Sequence, residues 1–321
     1  MRKVSLTQES AMTSVRKIRK VSRSRPTVEG AGVHLKRAFG YYQVPEFDPF
    51  LMLDDFHSDH PPHYLKGFPW HPHRGIETIT YMLNGRVEHG DSMGNSGVIT
   101  AGDIQWMTTG SGIIHQEMPR GDDDGVLWGF QLWANLPASR KMMNPRYQGF
   151  GASSIPEVTQ ADGTKIKIIC GEVDGVRGPV SDVIVDPQYL DVTVPAETTF
   201  SYPVTPGYTA FAYVVEGEGY FDPERNAYGH EVVGQNYFDY EGRKCVCSGE
   251  DLVLYGDGDR VEISTRGIPV RFLLVSGKPI GEPVAWYGPI VMNSQEELQQ
   301  AFAELEKGTF IRDRQVDITG S

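Results

Sequence analysis

Residues 71–85 read HPHRGIETITYMLNG, and residues 101–119 read AGDIQWMTTGSGIIHQEMP. Polar and apolar side chains alternate from Glu77 to Leu83 and again from Ile104 to Met107, which is the period of a strand with one face in a core. Asn84-Gly85 closes the first run, and both residues tolerate positive φ, so a type I′ hairpin turn is expected there. Ala101-Gly102-Asp103 marks another turn. Working outward, similar short runs separated by Gly, Asn and Asp fill the chain from Asp48 to about Pro137, as expected of a β-sandwich or barrel. The 36 glycines in 321 residues suit a fold with many tight turns.

The same pattern recurs in the second half. TITYMLNGRV (78–87) aligns with AFAYVVEGEG (210–219), and TAGDIQWM (100–107) with GDGDRVEI (256–263), at offsets of 132 and 156. A second barrel is therefore expected, with about 24 extra residues between Glu218 and Tyr255. A helix appears only near the end. In NSQEELQQAFAELEKG, Ser294 and Glu297 form a capping box, Leu298, Phe302 and Leu305 share a face, and Gly308 is the stop. The small polar stretch ASSIPEVTQADGTK (152–165) marks the boundary. The organisation read from the chain is an arm over 1–29, a metal-binding domain over 30–150, a second domain without metal ligands over 166–288, and a helix and tail over 289–321.

The net charge is −12, but residues 1–37 hold ten of the 30 basic and two of the 42 acidic residues, leaving twenty basic against forty acidic for the rest. Such a body repels a phosphate backbone, so nucleic acid is excluded as a direct partner unless the arm binds it alone. No signal sequence or membrane span is visible, and three cysteines (Cys170, Cys245, Cys247) are too few for a disulfide framework. A cytoplasmic protein is expected.

Seven of the nine histidines lie between His57 and His115. In a strand, residues i and i+2 project together, so His71 and His73 can meet one ion, and His115 and Glu117 repeat the spacing. A lone pair of this kind is commonly polar decoration; two pairs flanking a turn are not. Three imidazoles and a carboxylate suit a first-row divalent metal with positions left for chemistry, or a closed structural zinc. His57, His60 and His63 in FHSDHPPHYLKG fit a solvated loop at the barrel mouth, while His89 and His230 stand apart in sequence. Cys245-Val-Cys247 has no second pair with which to hold a soft metal. Arg74 and Trp106 have the opposite parity to their ligand-facing neighbours, which packing or ion pairing explains.

At DPFLMLDDF (48–56), at 71–85 and 101–119 above, at FQLWANL (130–136) and at EPVAWYGPIVMN (282–293), the chain resembles the pirin family of the cupin superfamily. The resemblance implies an all-β fold of two tandem cupin barrels (double-stranded β-helix or jelly-roll) with a C-terminal helix. It implies iron, as Fe(II), in the first barrel at His71, His73, His115 and Glu117; other first-row divalent ions suit the same donors. Many other cupins take their carboxylate four residues after the second His, where this chain has Glu77; pirin-like proteins use the Glu two beyond the third His, which favours Glu117. At the repeat offsets His71, His73, His115 and Glu117 fall on Pro203, Thr205, Arg271 and Leu273, so the second barrel is expected to lack the site. The chain departs from the family pattern in its longer basic arm and its histidine-bearing loop 57–66.

The resemblance further implies a quercetin 2,3-dioxygenase-like oxidoreductase acting on a flavonol or similar enolizable aromatic with dioxygen. Glu117 would balance charge and take the substrate proton. The alternative it implies is a non-enzymatic, iron-containing redox sensor that binds a transcription factor or a metabolic enzyme. A structural metal without turnover is the third reading.

Overall fold

The computed structural model describes residues 14–234 and 244–312. The chain enters as β1 (Ile18–Arg23) and runs through β2 (Arg25–Glu29), β3 (Val33–Phe39), β4 (Phe50–Asp55), β5 (Phe68–His73), β6 (Ile76–Asn84), β7 (Arg86–Asp91), β8 (Ser96–Thr100), β9 (Ile104–Thr108), β10 (Ile113–Arg120), β11 (Trp128–Asn135) and β12 (Arg146–Phe150). The second half comprises β13 (Glu157–Thr159), β14 (Lys165–Cys170), β15 (Glu172–Val173), β16 (Val176–Arg177), β17 (Gln188–Val194), β18 (Thr199–Pro203), β19 (Thr209–Gly219), β20 (Glu231–Val232), β21 (Cys247–Ser248), β22 (Asp251–Tyr255), β23 (Arg260–Ser264) and β24 (Val270–Gly277). A hairpin of β25 (Ala285–Tyr287) and β26 (Ile290–Met292) then leads into helix α1 (Gln295–Glu306). The fold is all-β, two cupin barrels in tandem with one C-terminal helix, as the sequence led us to expect. No helix among the described residues is long and apolar enough to cross a membrane.

Each barrel pairs a large sheet with a small one. The first sets β12-β9-β6-β11-β4-β3-β2 against β5-β10-β7-β8; the second sets a sheet centred on β17-β24-β19-β22 against β18-β23. The two large sheets pack back to back. Leu53, Ile79, Tyr81, Trp106 and Phe130 of one share a single core with Tyr189, Phe211, Tyr213, Leu252 and Leu273 of the other. Each sheet also covers its own barrel interior, so β4 is buried at all six positions and β6 at its first seven. Three buried polar contacts cross or brace this interface. Tyr81 donates to Asp191 at 2.7 Å, Tyr213 donates to Asp55 at 2.8 Å, and Arg271 grips Asp191 with two bonds at 2.7 and 2.9 Å.

Several local expectations change. Asn84-Gly85 does not close a hairpin: β6 pairs with β9 and β11, whereas β7 pairs with β8 and β10, so the turn carries the chain from one sheet to the other. Gly85 alone takes positive φ there, at +73°, and a Cβ on it would lie 2.6 Å from the carbonyl of Arg120. The repeat is real, but its second anchor slips by one strand. β22 lies beside β19 as β9 lies beside β6, so β9 corresponds to β22 rather than to β23. Generic Gly-Asp turn composition before β23 produced the slip. The longer connection of the second barrel is 220–250 against 85–103 in the first, and its residues 235–243 lie outside the described set.

From Ile18 onward the basic arm is sheet. β1 joins the second barrel beside β22, and β2 returns to the first beside β3. Its cations meet the acidic body: Arg16 is buried and donates to the carbonyls of Thr205, Tyr208 and Gly256, Lys20 pairs with Glu46, and Arg23 with Asp251. Residues 1–13 lie outside the described set. At the other end Ser294 accepts from the Glu297 amide at 3.2 Å while Glu297 accepts from the Ser294 amide at 3.1 Å, the capping box that starts α1. Leu298, Phe302 and Leu305 pack the helix on the hairpin, and Gly308 ends it at φ +69°.

Candidate metal centre

β5 and β10 are antiparallel neighbours, with His115 opposite His71 and Ile113 opposite His73. The two i, i+2 pairs thus lie side by side in one sheet, and both project into the first barrel. One ring nitrogen from each of His71, His73 and His115 falls within 4.8 Å of the others, and this is the one such cluster of His, Cys, Asp or Glu among the described residues.

The tautomers follow from the hydrogen bonds. His71 Nδ1 donates to the carbonyl of Pro69 at 2.8 Å and His73 Nδ1 to that of Pro289 at 3.1 Å, so each Nε2 keeps its lone pair. Those two Nε2 atoms face each other at 3.0 Å, and the buried His115 Nε2 has no hydrogen-bond partner. The two opposed lone pairs of His71 and His73 repel unless a cation joins them, and the unpartnered His115 Nε2 is placed to join it. Burial pushes the pKa of all three below the ordinary imidazole range, well below for His73 and His115, so they are neutral at neutral pH, as ligands must be.

Glu117 points to the same region. Its Oε2 lies 4.0 Å from His115 Nε2, and its Oε1 lies 3.4 Å from the Thr80 hydroxyl, which also reaches Gln131 Oε1 at 3.1 Å. Burial raises its carboxyl to a pKa of about 7. Glu77 is elsewhere. The strand breaks at Gly75, with φ +81°, so parity is not carried from His73 into β6. Glu77 therefore points to the same side as Ile79 and Tyr81, toward the core between the barrels, and accepts from Thr108 Oγ1 at 2.7 Å.

The second barrel is filled instead. Where β5 and β10 aim imidazoles inward, β18 and β23 aim Phe200, Tyr202, Val261 and Ile263, all buried in its core. At the offset of 132 Pro203 does lie in β18, the counterpart of β5, whereas the correspondence of His115 and Glu117 with Arg271 and Leu273 is corrected: those lie in β24, because the second offset had slipped by a strand, and the counterpart of β10 is β23. The other histidines take other roles: His57 stacks on Trp128 at 4.2 Å, His63 stacks on His34 at 4.1 Å with His60 edge-on, and His89 receives or donates a 3.1 Å bond with the Tyr147 hydroxyl.

Beside the histidines lies a cavity of about 840 Å³, within the range of small-molecule sites. Val33, Leu35, Met52, Phe56, Phe68 and Trp133 make it apolar, while His71, His73, Glu117 and Gln131 supply polar groups at one end. Trp286, Tyr287, Gly288 and Pro289 form part of its wall, so the C-terminal hairpin completes a site belonging to the first barrel. Sequence reasoning assigned no role to this hairpin; the only signal was the run EPVAWYGPIVMN itself. Arg74 fastens it. Its guanidinium donates to the carbonyls of Ser111 and Phe310, pairs with Glu304 at 2.8 Å and stacks on the Phe310 ring at 4.1 Å.

Comparison with known proteins agrees with this architecture. The Pirin family model matches residues 32–134, and the model for the pirin C-terminal cupin domain matches residues 189–311. A pirin-like protein of Caulobacter vibrioides is 44% identical over 297 residues, spanning 92% of this chain and 99% of its own. A Pseudomonas aeruginosa relative bearing a provisional quercetin 2,3-dioxygenase name is 37% identical over 301 residues, 92% of this chain and 99% of its own. The crystal structure of a quercetin 2,3-dioxygenase from Acinetobacter baumannii superimposes with a TM-score of 0.79 at 26% identity, covering 94% of this chain and all of that one. The chain belongs to the pirin family.

Proposed function

We propose that this chain is a metal-dependent dioxygenase of the quercetin 2,3-dioxygenase type, using Fe(II) held by His71, His73, His115 and Glu117 and acting on a flavonol or similar enolizable aromatic. The observation that carries the reading is the set of three neutral imidazoles with converging lone pairs, beside a buried carboxyl, at one end of an apolar cavity of about 840 Å³. Bound there, iron supplies a position for a deprotonated hydroxyl and electrons for dioxygen.

The protein's own groups do the rest. Apolar walls take up a flat aromatic body and exclude water from the polar end. Glu117 is the carboxyl placed to accept the hydroxyl proton of an enolizable substrate; burial raises its pKa, a cation beside it would lower it, and the proton transfer would therefore accompany release of Glu117 from the ion. The Thr80 hydroxyl, between Glu117 and Gln131, orients whichever oxygen receives that proton. Names carried by the Pseudomonas and Acinetobacter proteins support the same chemistry.

The test is to load the protein with Fe(II) without oxygen, add quercetin and dioxygen, and follow the loss of flavonol absorbance together with carbon monoxide release. Turnover that disappears in His115→Ala along with bound iron is the expected result. Stoichiometric iron without turnover refutes the assignment and leaves a regulatory or structural metal.

A further inference from the structure

Aromatic rings form an unbroken series from the metal centre to solvent. His73 meets Trp133 edge-on at 5.1 Å between ring centroids, Trp133 meets Trp286 at 5.8 Å, Trp286 meets Tyr41 at 5.6 Å, and Tyr41 meets Tyr42 at 5.6 Å. All four spacings are those of rings in direct contact. The series runs from His73, 3% exposed, to Tyr41 at 59% and Tyr42 at 92%. It also crosses three separate parts of the chain, because Trp133 lies in β11, Trp286 in the C-terminal hairpin and the tyrosines in the connection before β4. Core packing explains Trp133. Beyond it the series continues through three oxidisable residues, Trp286, Tyr41 and Tyr42, into water.

The geometry points to a conduit for oxidising equivalents: Trp133, Trp286 and Tyr41 pass an electron from Tyr42 to the metal centre when that centre is oxidised without substrate in the cavity. This rests on the proposal that His71, His73 and His115 hold iron. With peroxide as oxidant, one hydrogen peroxide becomes two waters by taking one electron from Fe(II) and one from Tyr42. The phenolic proton of Tyr42 and one proton from solvent complete the waters, leaving Fe(III) and a neutral tyrosyl radical. The order of residues suits this direction. The indole N–H of Trp286 donates to the carbonyl of Gly288 at 2.7 Å, and a carbonyl is no base for its proton, so the hydrogen bond does not trap the radical at Trp286 and its neighbour Tyr41 can refill it. Tyr42 stands in water, which takes its proton and traps the radical there. The damage is thereby moved from the ligands and the cavity wall to a replaceable surface ring.

Tyr287 provides the internal control. It lies at the same cavity mouth and is 70% exposed, but its ring contacts Phe302 rather than the series. Iron-loaded full-length protein is mixed with hydrogen peroxide and a nitroso spin trap, and the adduct is located by peptide mass spectrometry alongside the tyrosyl signal in electron paramagnetic resonance. The expected result is an adduct on Tyr42 and not on Tyr287, lost in Trp286→Phe and in Trp133→Phe with iron content unchanged, and moved to Tyr41 in Tyr42→Phe. Equal labelling of Tyr42 and Tyr287, or a Tyr42 adduct that survives both tryptophan variants, overturns the conduit and indicates a diffusing oxidant. Quercetin turnover with no tyrosyl radical overturns the conduit alone; failure to bind iron overturns both proposals.

Discussion

Lys141 offers a direct test of how the hairpin is held over the site. Its side chain is 1% exposed, and its ammonium donates to the Asn135 side-chain carbonyl at 2.7 Å and to the backbone carbonyls of Gly75 and Val291 at 2.9 Å each. One acceptor is the break between β5 and β6, and another lies in β26, two residues beyond the Pro289 carbonyl that orients His73. Lys141→Met keeps the stem and removes the donors. Three neutral acceptors left buried cost about 1 kcal/mol or more each, offset in part because a charge is no longer buried, so a net loss of about 2 to 3 kcal/mol is expected. Urea denaturation of wild type and variant reads this as a lower midpoint at unchanged slope. Because the hairpin is loosened, the affinity for a divalent ion should fall as well, by about tenfold, as for loss of a group that orients a ligand.

The pH dependence carries a second, independent sign. Burial pushes the Lys141 ammonium down to about 7, whereas in the unfolded chain it titrates near its ordinary value of about 10.5. Between those values the unfolded state binds more protons, so this group's contribution to stability rises with pH, and below about 7 it is constant. The deficit of Lys141→Met should therefore widen from pH 7 toward pH 9.5. An unchanged midpoint refutes the fastening, and a deficit independent of pH refutes the depressed ammonium.

Two further outcomes separate residues that share a chemistry. Glu117→Gln should weaken divalent-ion binding by about 10- to 100-fold in competition with a chromogenic chelator, whereas Glu77→Gln, whose amide oxygen can still accept from Thr108, should leave it unchanged. Asp55, raised to about 7 by burial, keeps its proton longer in the folded state than in the unfolded one, so wild type should lose stability relative to Asp55→Asn as pH rises from about 4 to 7; parallel thermal-melting curves across that window argue against it.

What could be read in the sequence was what depends on local geometry. The i, i+2 spacing of His71 and His73 and of His115 and Glu117 survives folding because each pair lies within one strand. The capping box of Ser294 and Glu297 needs only its own first turn. Glu77 could not be placed that way, since its side depends on the break at Gly75, and Gly75 is defined by the close approach of Val291 from far along the chain: a Cβ there would lie 2.0 Å from the Val291 carbonyl. Asn84-Gly85 misled for a related reason. The dipeptide specifies a reversal, but whether the outgoing strand pairs with the incoming one or crosses to the other sheet is decided by what each strand buries. The role of EPVAWYGPIVMN was likewise invisible, because Pro289 acts through a backbone carbonyl, which any residue carries.

The two barrels have diverged on one side and kept the other. Tyr81 and Tyr213 occupy matching places in β6 and β19, at the offset of 132 found in the sequence, and each reaches across to a carboxylate of the opposite barrel, Asp191 in β17 and Asp55 in β4. The contact is reciprocal, as an approximate twofold arrangement of two copies requires. On the small sheets that symmetry is abandoned: β5 and β10 present histidines and leave a cavity, while β18 and β23 fill the same place with Phe200, Tyr202, Val261 and Ile263. A packed barrel contributes stability that a hollow one forgoes, and burying three imidazoles and a carboxyl costs more. The filled barrel therefore acts as the rigid support, through the shared core and the Tyr–Asp pairs, against which the hollow one can hold its lone pairs converged.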